Sequence, residues 1–234
     1  TNVTYHFLHD RVQQAAYALI DEARLESLHL KIGRLLLQNT QHDALDEQLF
    51  NIVSQLNLGK SLINDPAERL RLAHLNLKAG KKAKASAAYD GAVCFLRHST
   101  ELLPENCWPQ HYDLTLDVFS TLAECEYLAI DFESANQSYV AVYANANSIL
   151  DKIPVYHIQI RQMASEQKAG DAFQLGFDIL NELGLALPAP DAPHAIEAAF
   201  QSQLEEYQQL LGKRKIAELY DLDEMTDRNM IEAL

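Results

Sequence analysis

Residues 80–104 read GKKAKASAAYDGAVCFLRHSTELLP, and their spacing decides the fold. Gly80 stands twelve residues before Ala92; Leu96 follows four later, Ser99 three further and Pro104 five further. The apolar periodicity predicts one helix breaking near Ser86 and a second from about Ala88 to Leu103, stopped by Pro104. Small residues at Gly80 and Ala92 let two antiparallel helices approach closely, while a larger residue four positions on fills the groove to the next pair. The spacing recurs at Ala123, Ala135, Tyr139 and Val142, with Phe119 and Leu122 just upstream. A weaker third copy reads Ala172, Gly176, Ile179. A plain antiparallel bundle also wants Ala and Leu at these intervals; recurrence of the whole set favours stacked pairs over a bundle.

Outward from this core the pattern stays helical. Val3–Leu8 alternates like a short strand, and Arg11–Ile20 reads as a helix capped by Asp10. A helix after Asp21 carries Leu25, Leu28, Ile32, Leu35 and Leu36; one opened by Asp43 carries Leu45, Leu49, Ile52, Val53 and Leu56, with Gly59 as its stop. Asp65-Pro66 is a cap followed by a first-turn proline. Residues 104–109 read as a linker. Further helices are expected over 112–129, 132–150, 154–169 and 172–183, with turns at Ile130-Asp131 and Gly170-Asp171. Residues 184–193 form the clearest break, followed by helices near 194–211 and 214–222. Thr1 begins inside the strand pattern without an initiator Met and Leu234 ends inside a helical one, so both ends read as cut.

Eight glycines and seven prolines in 234 residues supply too few turns for a sandwich or barrel. A net charge of −14 opposes binding to nucleic acid or anionic membrane. The local run Lys78, Lys81, Lys82, Lys84 reads as a solvated helix face. No apolar run reaches membrane-spanning length. Three cysteines, Cys94, Cys107 and Cys125, make no disulfide framework, so a reducing, cytoplasmic setting is expected.

Candidate chemistry is thin. Gly59-Lys60-Ser61 resembles the end of a phosphate-binding loop, but Ser54 stands where its first Gly is needed. His9-Asp10 lacks the downstream proline of a phosphoacceptor helix. Cys94-x3-His98 and Cys107-x3-His111 share helical spacing, yet no Cys-x2-Cys knuckle accompanies them. Asp221, Asp223, Glu224 and Asp227 lack the spacing of a calcium loop. No catalytic residue, cofactor or metal is assigned.

The repeated spacing resembles the tetratricopeptide repeat, although steps of 43 and 37 residues exceed that family's period of about 34. Several stretches together resemble the helical region that follows the ATPase module of large bacterial multi-sensor histidine and serine/threonine kinases. They are Tyr5–Tyr17, Leu28–Leu36, Asp65–Arg69, Lys78–Tyr89, Leu183–Pro188 and Met225–Asp227. The resemblance implies that residues 1–20 close a winged-helix subdomain and that 21–234 form an all-α array of antiparallel pairs in a right-handed superhelix. It also implies parentage in a kinase with an ATPase module, without placing either activity in these residues.

The expected function is a non-catalytic interaction and coupling module of a two-component or related signalling protein. Its partners would be a protein, a peptide or neighbouring domains. A phosphotransfer or sensory bundle, or a small-molecule sensor, are the alternatives. Repeat packing is assigned to Gly80, Ala92, Leu96, Ser99, Phe119, Leu122, Ala123, Ala135 and Tyr139. The first helices of the pairs are expected to present Asn76, Lys78, Lys82, Glu124, Glu126 and Gln159 as an open polar interaction face.

Overall fold

The computed structural model describes residues 21–41, 44–185, 188 and 193–212. Among them the regular structure is helical and no strand occurs. The α-helices of the described residues are α1 (Glu22–Asn39), α2 (Leu45–Leu58), α3 (Pro66–Ala85), α4 (Tyr89–Leu102), α5 (Cys107–Gln110), α6 (Tyr112–Leu128), α7 (Phe132–Asn145), α8 (Ile149–Ser165), α9 (Ala169–Glu182) and α10 (Pro193–Leu211). A 3-10 turn lies at Lys60–Leu62. The strand and helix expected before residue 21, the His9-Asp10 pair, Asp43 and the acidic run after 220 lie outside the described residues. The chain divides into two compact units, Thr1–Asp131 and Phe132–Leu234.

In the first unit α3 is the central element. Asp65 caps it, its carboxylate accepting from the Ala67 amide at 3.2 Å, and Pro66 occupies the first turn. One face (Leu72, Ala73, Leu75, Ala79) enters a core with Leu30, Leu49, Ile52, Val53, Leu56 and Ile63. Another (Leu77, Ala83) enters a core with Ala92, Leu96, Leu114, Val118, Leu122 and Cys125. Phe50 and Phe95 stack at 5.5 Å and pack against both cores. Burial on two sides leaves α3 one narrow solvent-facing stripe: Arg71, His74, Lys78 and Lys81. Against α4 the contacts run in opposite order: the Arg69 guanidinium donates to the Glu101 carbonyl at 2.9 Å, the Ser99 hydroxyl to the Ala73 carbonyl at 2.9 Å, and Gly80 faces Leu96.

Glycines set how near the helices come. A Cβ on Gly80 would lie 2.6 Å from Leu96 Cγ, and one on Gly33 would lie 2.6 Å from Leu56 Cδ2 and 3.0 Å from the Leu56 amide nitrogen. Gly59 was expected only as a helix stop, which a left-handed residue would provide. It does end α2 as its C-cap, but at a φ of −113°, so left-handed freedom is not what requires a glycine there. A Cβ there would instead lie 2.6 Å from the Glu26 carbonyl oxygen and 2.9 Å from the Leu30 amide nitrogen. Gly59 is present because the end of α2 touches the backbone of α1.

In the second unit the Ser148 hydroxyl accepts from the Asp151 amide, and the Asp151 carboxylate accepts from the Ser148 amide at 3.1 Å. This capping box starts α8 at Ile149, ends the expected 132–150 helix early, and places Pro154 inside the helix rather than in its first turn. The next turn centres on Gln167 (φ 64°) rather than Gly170-Asp171, and Gly170 is helical. The Tyr139 hydroxyl donates to Gln162 Oε1 at 2.9 Å, and Tyr143 and Tyr156 stack at 4.7 Å. Burial drives the Tyr143 hydroxyl pKa upward, with the neighbouring Tyr156 and Tyr139 adding to it.

Three turns share one construction. Ala87 (φ 56°), Ile130 (φ 64°) and Gln167 (φ 64°) are left-handed. In each, the next residue's amide reaches back five positions: Ala88 to the Ala83 carbonyl, Asp131 to that of Glu126, Lys168 to that of Met163. These are Schellman endings, which satisfy the orphan carbonyls of α3, α6 and α8. Seven residues before them stand Gly80, Ala123 and Ile160. Ile160 breaks the small-residue rule, and its Cδ1 lies 3.9 Å from where a Cβ on Gly176 would stand. Small and large have changed places relative to Gly80 and Leu96.

Gly59→Ala should cost about 1–3 kcal/mol in urea unfolding, because backbone of α1 must move to admit the methyl. Gly91→Ala, helical with nothing within 4 Å of the added Cβ, should be neutral or stabilising by up to about 1 kcal/mol. Equal midpoints for the two variants would contradict this reading of the α1–α2 contact.

Candidate interaction surface

The four lysines of α3 reach to both sides. Lys78 pairs with the Asp46 carboxylate at 2.5 Å, and Lys82 donates to the Asp46 carbonyl with its ammonium 5.3 Å from the centre of the Phe50 ring. Lys81 pairs with Asp117 at 2.6 Å and Lys84 with Glu124 at 2.7 Å. The run expected as a merely solvated face thus links α3 to α2 on one side and to α6 on the other. Exposed pairs of this kind contribute about 0–1 kcal/mol each, so they orient the helices more than they hold them.

The open face expected from the sequence is only partly open. Asn76 is fully buried. Its side-chain amide donates to Asn57 Oδ1 at 2.9 Å and to the Leu72 carbonyl at 3.0 Å, and Asn57 donates back to Asn76 Oδ1 at 2.8 Å. A helical wheel assigns residue 76 to a polar face, but α3 is covered on two sides, so the polar group lies inside and is satisfied there. Glu126 is also buried, its carboxylate accepting from Arg97 at 2.9 Å. Glu124 is half-buried against Lys84, and Gln159 accepts from the Tyr143 hydroxyl at 2.7 Å. Lys78 is exposed and Lys82 half-exposed.

Gly80, Leu96, Ala92 and Ser99 meet in the α3–α4 contact, the last three being fully buried. Leu122 and Ala123 are buried in α6, and Ala135 and Tyr139 in α7. Phe119 is half-buried, stacked on Trp108 at 5.4 Å. Trp108 belongs to α5, a one-turn helix within the expected linker.

Two cavities open beside α3 and α4. One of about 370 Å³ has a floor of Leu37, Leu56, Ile63, Leu72 and Leu75 and a rim including Arg34, Gln38, Glu68 and Arg71. Arg34 and Glu68 close one side through two parallel hydrogen bonds of 2.7 Å. The other, about 430 Å³, is lined by Val93, Cys94, Arg97, His98, Glu101 and Asp131, among others. There Cys94 Sγ is 3.9 Å from His98 Nε2, and Lys60 donates to Glu101 and lies 2.6 Å from His98 Nδ1. The lysine of the partial phosphate-loop pattern therefore ties the α2 end to α4. Its hydrogen bond, then its charge and His98, hold the Glu101 carboxyl below the usual carboxylate range against partial desolvation. Cys125, buried and desolvated, has its thiol pushed up to about 12. Among the described residues no three potential ligands gather around a metal-sized space, and no helix is long and apolar enough to cross a membrane.

Hybrid signal transduction histidine kinase G of Dictyostelium discoideum is 25% identical over 211 residues, covering 79% of this chain and 6% of that kinase. The chain thus spans a small part of that relative's length. The likeness associates it with signal-transduction histidine kinases. The sequence resemblance points to bacterial proteins, whereas this relative comes from Dictyostelium. No family model matches, and no solved structure matches.

Two substitutions test the polar ties. Arg97→Ala leaves the buried Glu126 carboxylate short of its guanidinium and should cost about 1–3 kcal/mol, largely recovered by adding Glu126→Gln; a loss unchanged in the double variant would contradict the pairing. For Lys60 the sign follows from Glu101. A lowered folded pKa gives stability that is present above the ordinary Glu value of about 4.3 and lost as pH falls through the lower folded one. The urea-midpoint gap between wild type and Lys60→Ala should therefore shrink on acidification from about pH 6 to about pH 3. A constant gap would exclude the Glu101 link.

Proposed function

We propose that this chain is a non-catalytic, tetratricopeptide-like module that couples or docks parts of a multidomain signalling kinase, in a cytoplasmic setting. The observation that carries the functional half is the likeness to a segment of a hybrid histidine kinase. The repeat half is supported by the turns at Ala87, Ile130 and Gln167, each seven residues after the position that holds Gly80, Ala123 or Ile160. Steps of 43 and 37 residues between those turns equal the steps between the small-residue sets read from sequence alone. Helix pairs in such arrays contact their neighbours and leave one helix of each pair facing a partner.

The reading assigns no chemistry to these residues. Lys60, the lysine of the partial phosphate-loop pattern Gly59-Lys60-Ser61, is engaged by Glu101 and His98. Autophosphorylation of the full-length parent kinase, with and without residues 66–182, tests the coupling role: altered output with an intact isolated catalytic domain is expected, and equal output would overturn it. Calorimetry of this chain with Mg-ATP should show no micromolar binding; binding abolished by Lys60→Ala would assign nucleotide chemistry to it instead.

A further inference from the structure

We infer that the solvent-facing stripe of α3, with the cavity beside Arg71, is a docking site for an acidic peptide segment carrying one apolar anchor residue. This rests on the interaction-module reading above and names its partner.

Along α3 the exposed positions 71, 74, 78 and 81 are Arg, His, Lys and Lys. Their spacing of three, four and three residues puts them in one row about 15 Å long, the reach of four or five residues of extended peptide. No acidic residue interrupts the row. Arg71 and His74 make no hydrogen bond or ion pair with the described residues. Lys78 and Lys81 have partners in Asp46 and Asp117, but the four side chains are 41–67% exposed, and such pairs exchange partners at little cost. A peptide carboxylate can replace or bridge them.

The second observation is independent of charge. Arg71 also stands on the rim of the cavity of about 370 Å³, whose floor is leucine and isoleucine. That volume admits a single aliphatic or aromatic side chain with room to spare. Asp65 and Glu68 also line the cavity; Glu68, one turn before Arg71 on the same helix, is committed to Arg34 through both oxygens, which leaves Arg71 as the cation available to the incoming chain. An apolar residue would enter the cavity beside Arg71 while the carboxylates that follow it run along the stripe. The acidity of the whole chain does not oppose this, because repulsion from charges beyond about 8–10 Å is screened at physiological salt. A basic peptide, by contrast, would meet the like charges of Arg71, Lys78 and Lys81 along the stripe.

The test uses the full 234-residue chain and a fluorescein-labelled peptide of sequence Glu-Asp-Glu-Leu-Glu-Asp-Glu, read by anisotropy. Binding should weaken at least about tenfold between about 0.05 and 0.5 M salt, the range over which screening becomes complete. Arg71→Glu should weaken it about tenfold and Arg71→Gln less, with helical content and urea midpoint unchanged because the side chain is exposed. Replacing the peptide leucine by serine should cost several-fold. Equal affinity for a Lys-for-Glu peptide, or no effect of Arg71→Glu, would overturn the site. Tighter binding of a single-stranded oligonucleotide of equal charge would overturn the peptide assignment. In the parent kinase, an effect of deleting residues 66–182 without one of Arg71→Glu would leave the coupling reading standing and remove this inference alone.

Discussion

The end of α2 passes so close to α1 that a single methyl on Gly59 would collide with the Glu26 carbonyl oxygen and the Leu30 amide nitrogen. Gly33 admits Leu56 from the other side of the same contact, and Gly80 admits Leu96 one pair further along. Backbone approach of this kind lowers the distance between helix axes and fixes their register, because side chains elsewhere then have one way to interdigitate. The two cores on either side of α3 follow from it. Leu56 can serve Gly33 and also floor the cavity only because α1 and α2 are held at that separation.

Burial of α3 on two faces has a polar cost that is met inside the unit. Asn76 would lose an exchange of hydrogen bonds with water, and the reciprocal pair with Asn57 replaces it. Glu126 is satisfied in the same way by Arg97, which also reaches Asp131 at 3.1 Å in the turn after α6. Polar groups that the sequence pattern sends outward are therefore used as internal ties. The outward chemistry passes to Arg71 and His74, which no motif distinguishes.

Function and architecture are joined through that exchange of roles. A module that only docks or couples needs a rigid frame and one accessible stripe. Small-residue contacts, Schellman turns and inter-helix ion pairs supply the frame within the first unit. In the second unit Ile160 and Gly176 put the large and the small residue on opposite helices from Leu96 and Gly80, a volume-preserving swap of the kind packed interiors tolerate.

Local chemistry made much of this legible from sequence. Asp65-Pro66 marked the start of α3, the Leu49–Leu56 spacing marked the buried face of α2, and the offsets from Gly80 to Ala92 and Leu96 marked a close helix pair, because caps, periodicity and side-chain volume act over a few residues. The Ser148–Asp151 capping box was equally local and was readable in principle. In α1 the apolar spacing pointed to Leu28 and Leu35, yet these are 38% and 47% exposed while His29, Leu30 and Gly33 face α2. Only the tertiary structure decided that, and likewise the burial of Asn76, the use of Gly59 and the isolation of Arg71. Each depends on which helix comes to lie against which face, and an amphipathic pattern describes one face of a helix, whereas α3 is covered on two.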